Sequence, residues 1–234
     1  MERKKMRSQW AFRQKGVTLL ELLVTLVIAG LIIAGIYRVF IAQSKAYTVQ
    51  DQIVEVQQNV RGAMEILLRD LRMAGFNYDN PASTVYISNP IAYPVQASST
   101  TLSYEYYDKT TSEFKKHTVL YSRDAATSRL YRQLTVNDTA GPSEILLENV
   151  DALTFTHGVD QNEDGAMDDR NGNGMIDDND WVPSANVGAL KVVAVRVALT
   201  GRPEKLSAED DRFNTVSPRT LVSAVTLRNM SLIK

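Results

Sequence analysis

The chain passes through three hydrophobic patterns, and each predicts a different element. From Val17 to Tyr37 nearly every position is apolar, and Glu21 carries the one charge. A run of this length meets the roughly 20 residues a helix needs to cross a bilayer core. Farther on the pattern turns amphipathic. Val49, Ile53, Val56, Val60, Met64, Leu67 and Leu71 recur at steps of three and four, while Gln50, Asp51, Glu55, Gln57, Arg61, Glu65 and Arg69 cover the other sides. No proline precedes Pro81, so the spacing predicts one helix from Val17 to Ala74 with Gly75 as its C-cap.

Beyond Gly75 the period becomes two. Thr101–Tyr107, Lys116–Ser122, Asp151–His157, Leu190–Leu199 and Thr220–Arg228 read as strands, and "NYDNPAS" and "NDTAGPS" as the turns that punctuate them. Strands do not alternate regularly with helices, which favours an antiparallel sheet over a parallel one. The expected fold class is α+β: a long N-terminal helix packed on an antiparallel β-sheet domain. Four regions follow: a basic leader (1–16), a transmembrane half of the helix (17–42), an amphipathic half (43–75) and a β-rich head (76–234) containing an acidic loop (160–180).

Charge sharpens this division. The formal net charge is -1, yet Arg3, Lys4, Lys5, Arg7, Arg13 and Lys15 against Glu2 give the leader +5 and leave the rest at -6. Nucleic acid is therefore not an expected partner of the mature chain. The basic residues all precede the apolar run, which predicts a cytoplasmic N-terminus and a head outside. The run is longer than the h-region of a secretory signal, and no small-x-small cleavage site follows it. With no cysteine, disulfides, thiolate metal sites and cysteine nucleophiles are excluded.

A basic leader ending in Lys15-Gly16, four residues, Glu21 and then a long apolar helix closely resembles a type IV prepilin. That resemblance implies cleavage after Gly16 by prepilin peptidase, methylation of the new N-terminus at Val17, and a role for Glu21 in assembly. Val17 departs from the Phe or Met usual at the first mature position. Physical chemistry agrees with a role for Glu21, because an acid in low dielectric requires a cationic partner. The amine of Val17 would lie about one helical turn away. The resemblance implies that the partner is the amine of an adjoining subunit. The alternative is a lone acid snorkelling to the interface. "LLRDLRMAGF", "LENVDALTFTHGVDQNEDG", "VVAVRVALTGR" and "TLVSAVTLRN" further resemble the PilW-type minor pilins, which are grouped with the J-type minor pseudopilins of type II secretion.

The segment "DQNEDGAMDDRNGNGMIDDND" carries a second signal. Calcium loops place oxygen ligands at positions 1, 3, 5, 7, 9 and 12, with glycine at 6. A frame from Asp169 supplies Asp169, Asn171, Asn173, the Met175 carbonyl, Asp177 and Asp180. A frame from Asp160 supplies Asp160, Asn162, Asp164, the Ala166 carbonyl and Asp168, but position 12 falls on Asn171. The frames overlap, so a compact tandem loop or a single occupied site is expected. Hard oxygen ligands favour calcium. Eight acids against Arg170 leave the loop at -7, and without a cation it would be a solvated, self-repelling segment.

Catalytic signatures do not appear. The two histidines, His117 and His157, lie in separate expected strands, and there is no GxSxG elbow, phosphate-binding glycine loop or HExxH helix. A non-enzymatic reading is favoured. Arg123, Arg129 and Arg132 among Tyr121 and Tyr131 read as solvated sheet rather than a DNA patch. The resemblance implies a minor pilin in type IV pilus priming and assembly near the fibre tip. It would serve adhesion and motility, with other minor pilins, the major pilin and a large tip adhesin as partners. It would sit singly spanning the inner membrane before entering the fibre. The rivals are a type II secretion pseudopilin and a membrane-tethered calcium-dependent adhesin.

Overall fold

The computed structural model describes residues 16–76, 95–97, 101–110, 113–188, 190–203 and 217–231, with 97, 101–110, 113–114 and 231 described by backbone alone. Residues 1–15 of the basic leader and the "NYDNPAS" stretch lie outside the described residues. The chain divides into two compact units, Met1–Gln50 and Asp51–Lys234. Helix α1 (Leu19–Leu71) supplies the described structure of the first unit and continues into the second. Its front is apolar enough to cross a membrane and none of it is buried.

The second unit is built from two antiparallel sheets. The first is a meander of β1 (Val95–Ala97), β2 (Thr101–Thr110), β3 (Glu113–Asp124), β4 (Arg129–Val136) and β5 (Thr139–Leu147), each strand paired with the next. The second contains β6 (Val150–Asp160), β7 (Val182–Pro183), β8 (Lys191–Gly201) and β9 (Arg219–Thr226) in the order β7-β6-β8-β9. A four-residue helix α2 (Arg228–Ser231) follows. This is the α+β, pilin-like architecture the pattern predicts.

The rear of α1 seats the head. Val56, Val60, Ala63, Met64, Leu67 and Leu71 are buried and share one apolar core with Val119, Tyr121, Leu130, Phe155, Val195 and Leu199 of both sheets. The stripe starts later than its spacing predicts: Ile53 is only partly buried and packing begins at Val56. The helix also ends at Leu71 rather than Ala74, and a turn through Gly75 at φ 71 follows. Close approach matters at Gly201, where a Cβ would stand 2.6 Å from Val60 Cγ2.

The Asp70 carboxylate joins helix and sheet. Tyr121 donates its hydroxyl to Asp70 Oδ2 at 2.8 Å, and Arg132 Nε donates to the same oxygen at 2.8 Å. Tyr121 is fully buried, and burial, then the Asp70 carboxylate, push its phenol well above its ordinary range. At the other sheet, His157 is 1% exposed. Its Nε2 lies 3.1 Å from Ser184 Oγ, whose own proton goes to the Phe155 carbonyl. His157 must therefore be the donor in that pair, and its Nδ1 is left without a partner among the described residues. Burial drives its pKa down to about 4.

Two outcomes follow. Asp70→Ala strands the Tyr121 hydroxyl and the Arg132 guanidinium, and should lower unfolding stability by about 2–3 kcal/mol in denaturant titration. Tyr121→Phe, which leaves the Arg132–Asp70 bond in place, should cost about 1 kcal/mol. For His157 the sign is set by its depressed folded pKa. Stability should be full above about pH 6.5. It should fall with pH because the unfolded chain binds a proton the folded one refuses, then level off below about pH 4, for a total of about 3 kcal/mol. Thermal melts from pH 7 to pH 5 should show this slope in the native chain and lose it in His157→Gln.

Candidate functional site

The head of α1 is a local structure in its own right. Thr18 is the N-cap residue: its Oγ1 accepts from Glu21 N at 3.3 Å, and Glu21 Oε2 accepts from Thr18 N at 2.9 Å. The Thr18 hydroxyl also donates to Oε2 at 3.1 Å. This reciprocal pair is a capping box, which satisfies two N–H groups that every helix start leaves without partners. The carboxylate sits near the positive end of the helix dipole as well. Glu21 Oε1 takes no hydrogen bond among the described residues, so the side chain can cap its own helix through one oxygen and meet a cation through the other. Gly16 and Val17 precede the cap and are exposed. Thr18 opens a T-x-x-E pattern, the sequence signature of a capping box, so its part in the site was legible beside the acid.

The acidic loop repeats one backbone arrangement twice, nine residues apart. In the first frame Asp160 Oδ2 accepts from Gly165 N, Asn162 Oδ1 from Asp164 N, and Asp164 Oδ1 from Ala166 N. In the second, Asp169 Oδ2 accepts from Gly174 N, Asn171 Oδ1 from Asn173 N, and Asn173 Oδ1 from Met175 N. Positive φ recurs with it: Glu163 at 61° and Gly165 at 88°, then Gly172 at 70° and Gly174 at 84°. The left-handed residues turn each loop inward on its own aspartate.

The frames differ in what the remaining acids do. Asp168 Oδ2 accepts from Gln161 N at 2.6 Å. Asp177 Oδ2 receives the side-chain NH2 groups of Asn171 and Asn173 at 3.2 and 2.8 Å, and its Oδ1 receives Asn179 N. The Asn179 N–H, followed by those two amides, holds the Asp177 carboxyl below its usual range. Asp180 is fully buried and clamps the loop: Oδ1 accepts from Arg170 N and Asn171 N, and Oδ2 from Asp177 N, closing a capping box on the 3-10 turn Asp178–Asp180. Among the described residues no three acids or histidines converge as a ready metal cluster. The oxygens at hand are carboxylate, side-chain amide and carbonyl, the chemistry a hard divalent ion takes. Neutral N–H donors face many of the carboxylates.

The loop is held against the outer face of the second sheet. A Cβ at Gly158 would stand 2.6 Å from Met167 Sδ and 3.0 Å from Ala194 Cβ, so Met167 lies directly on β6 and β8. Asp168 N donates to the Val159 carbonyl at 2.9 Å. Arg196 bonds Asp178 at 2.7 Å and stacks 4.2 Å from the Trp181 ring. Cover on this face explains why Val192, Val193, Ala194 and Val195 are buried in succession, as in strands covered on both faces.

Asp160 is the deepest acid of the first frame, 2% exposed. Burial alone would raise its pKa, but the Lys191 ammonium at 3.0 Å and the Gly165 N–H hold it below the usual range. Cross-strand register makes this contact, since Asp160 stands opposite Lys191. The arginines near the tyrosines have structural partners: Arg132 on Asp70, Arg123 on the Val150 carbonyl and Arg129 on Glu148.

Residues 11–37 match the family model of the prokaryotic N-terminal methylation motif. No curated protein matches the chain, and no solved structure does. The matched stretch takes in Gly16, Val17, Thr18 and Glu21, the residues that build the head of α1. The chain is prepilin-like: it carries a type IV pilin or pseudopilin signal of the kind processed by prepilin peptidase, ahead of a pilin-like α+β body.

Proposed function

We propose that this protein is a PilW-type minor pilin, a non-enzymatic subunit that primes and helps assemble a type IV pilus near its tip. The observation that carries the reading is the head of α1, where a capped Glu21 lies in a methylation-motif segment and leads an apolar helix. Prepilin peptidase cleaves after Gly16 on the cytoplasmic side and methylates the amine of Val17. The helix then leaves the membrane for the fibre, exchanging lipid for neighbouring helices along its exposed face, which includes Leu20, Val27, Ile32 and Phe40. Glu21 Oε1 takes the amine of an adjoining subunit while Oε2 keeps the Thr18 cap. The head displays a calcium-stabilised loop, in which the ion takes over the role of the NH2 groups that Asn171 and Asn173 turn towards Asp177. A type II secretion pseudopilin is the second reading, because the matched motif serves pilins and pseudopilins alike.

Gene deletion with complementation separates the two. Loss of surface pili with normal secretion is expected, whereas intact pili with a secretion defect would move the protein to the pseudopilus. In the complemented strain Glu21→Ala should insert and be processed but enter the fibre about tenfold less or worse, scored by immunoblot of sheared pili. Incorporation at the native level would remove Glu21 from assembly. For the loop, calcium at about 100 times its Kd should stabilise the full chain in detergent by about 2.7 kcal/mol, roughly 5–10 °C in Tm, and EGTA should reverse it. A Tm indifferent to both would remove calcium.

A further inference from the structure

We propose that the outer edge of β9 is a docking site for an extended segment of another protein. The segment is an uncharged strand rich in β-branched residues, running antiparallel to β9 and ending on a carboxylate that meets Arg219. This surface is separate from the helix head and the acidic loop, and it does not depend on the assembly reading above.

The direction of the β9 backbone follows from one hydrogen bond. Leu227 N donates to the Val193 carbonyl at 2.7 Å, and the pairs from Ala194↔Thr226 to Gly201↔Arg219 continue that register without a shift. In an antiparallel pair, residues bonded to the neighbour alternate with residues whose N–H and C=O point the other way. Arg219, Leu221, Ser223 and Val225 therefore direct their backbone groups to β8. Thr220, Val222, Ala224 and Thr226 turn theirs outward, where no backbone partner meets them among the described residues. All four are exposed.

The other sheet edges are guarded in ways that keep strands from pairing with foreign chains. Strand β5 holds Pro142 and meets β4 through two register shifts. Strand β1 is three residues long, and β2 beyond it carries Glu105, Asp108 and Lys109. Strand β7 is two residues long and includes Pro183. Along the rest of that edge Val150 bonds Ser128 and Arg123, while the carbonyls of Phe155 and Val159 take Ser184 Oγ and Asp168 N. Strand β9 has none of these devices. It is eight residues long, with no proline, lysine or bulge, and presents a template roughly 26 Å in length. Such an edge is what strand addition requires.

Charge identifies the occupant. Arg219 is the one ionisable residue of β9, exposed at its first position, and no carboxylate pairs with it among the described residues. The rest of the edge is neutral, and Val222 is 55% exposed. An antiparallel newcomer lays its C-terminal end beside Arg219, so an acid there completes an opposite-charge cross-strand pair. Its β-branched residues then lie beside Thr220, Val222 and Ala224. A second β9 does not fit as well, because it brings no carboxylate to either Arg219.

The test uses the full chain in detergent and a short acetylated and amidated peptide of alternating threonine and valine that ends in glutamate. Backbone amide exchange is read by NMR. The peptide is expected to slow exchange at Thr220, Val222, Ala224 and Thr226. Val222→Pro removes an outward N–H that the fold does not use, and should weaken binding about tenfold. N-methylation of alternate peptide amides should do the same. Arg219→Gln, or a peptide ending in glutamine, should each weaken it about threefold, with no further loss when combined. If Val222→Pro does not fold, the methylated peptide tests the same contact on the native chain. Exchange unchanged at millimolar peptide, or binding indifferent to methylation, would overturn the inference. So would protection of the four amides in the free chain, and protection that fades on dilution would place a second copy on the edge instead.

Discussion

A single carboxylate sets how the head is mounted on its helix. The apolar stripe from Val56 to Leu71 favours burial but is tolerant of small slides and rotations, since hydrophobic contact has no direction. Asp70 supplies the direction. Its Oδ2 meets a phenol from β3 and a guanidinium from β4, two strands whose registry is already fixed by pairing Tyr121 with Arg132. Helix rotation and axial position are then fixed together, to the length of a hydrogen bond. The second sheet packs on the same stripe through Val195 and Leu199, so its placement inherits the one Asp70 imposes.

The acidic loop solves a different problem, the holding together of like charges. It does so mostly with neutral donors, backbone N–H groups on Asp160, Asp168, Asp169 and Asp180 and amide side chains on Asp177, joined by the Lys191 ammonium on Asp160 and the Arg196 guanidinium on Asp178. Met167 and Trp181 convert the segment from a solvated excursion into a cover for β6 and β8. The burial of Ala194 beneath it shows the loop to be part of the core's enclosure.

Legibility followed physical range. The helix could be read because its apolar period is local, and β2, β3, β6, β8 and β9 because their alternation or apolar run is dense. Strands β4 and β5 could not. Their positions are mostly half-buried or exposed, and Gly141-Pro142 reads as a break, although an edge strand accepts a proline that a central strand rejects. Only Asn137 and Asp138, at φ 46 and 64 between paired Val136 and Thr139, form the turn that "NDTAGPS" suggested. At the loop, spacing named the oxygens but could not say which way each would face. Asp180 has ligand spacing, yet here both its oxygens bind backbone. The Asp160–Lys191 contact depends on strand register, and Asp70 on a packing angle, and neither is written in any short window.

The C-terminal end of α1 is finished from far away. Asn229, just inside α2, donates its side-chain amide to the carbonyls of Arg72 and Ala74 at 3.1 and 3.2 Å, groups that a helix end leaves without intrahelical partners. The helix emerges from synthesis long before the residue that caps it, across 157 and 155 positions of chain. Contacts of such separation form late. The head therefore has a built-in order of completion: the meander can pair as it appears, but the helix end stays unsealed until β9 has been added beside β8 and Asn229 arrives. Maturation of the head is thereby tied to the arrival of β9 and of the short helix that follows it.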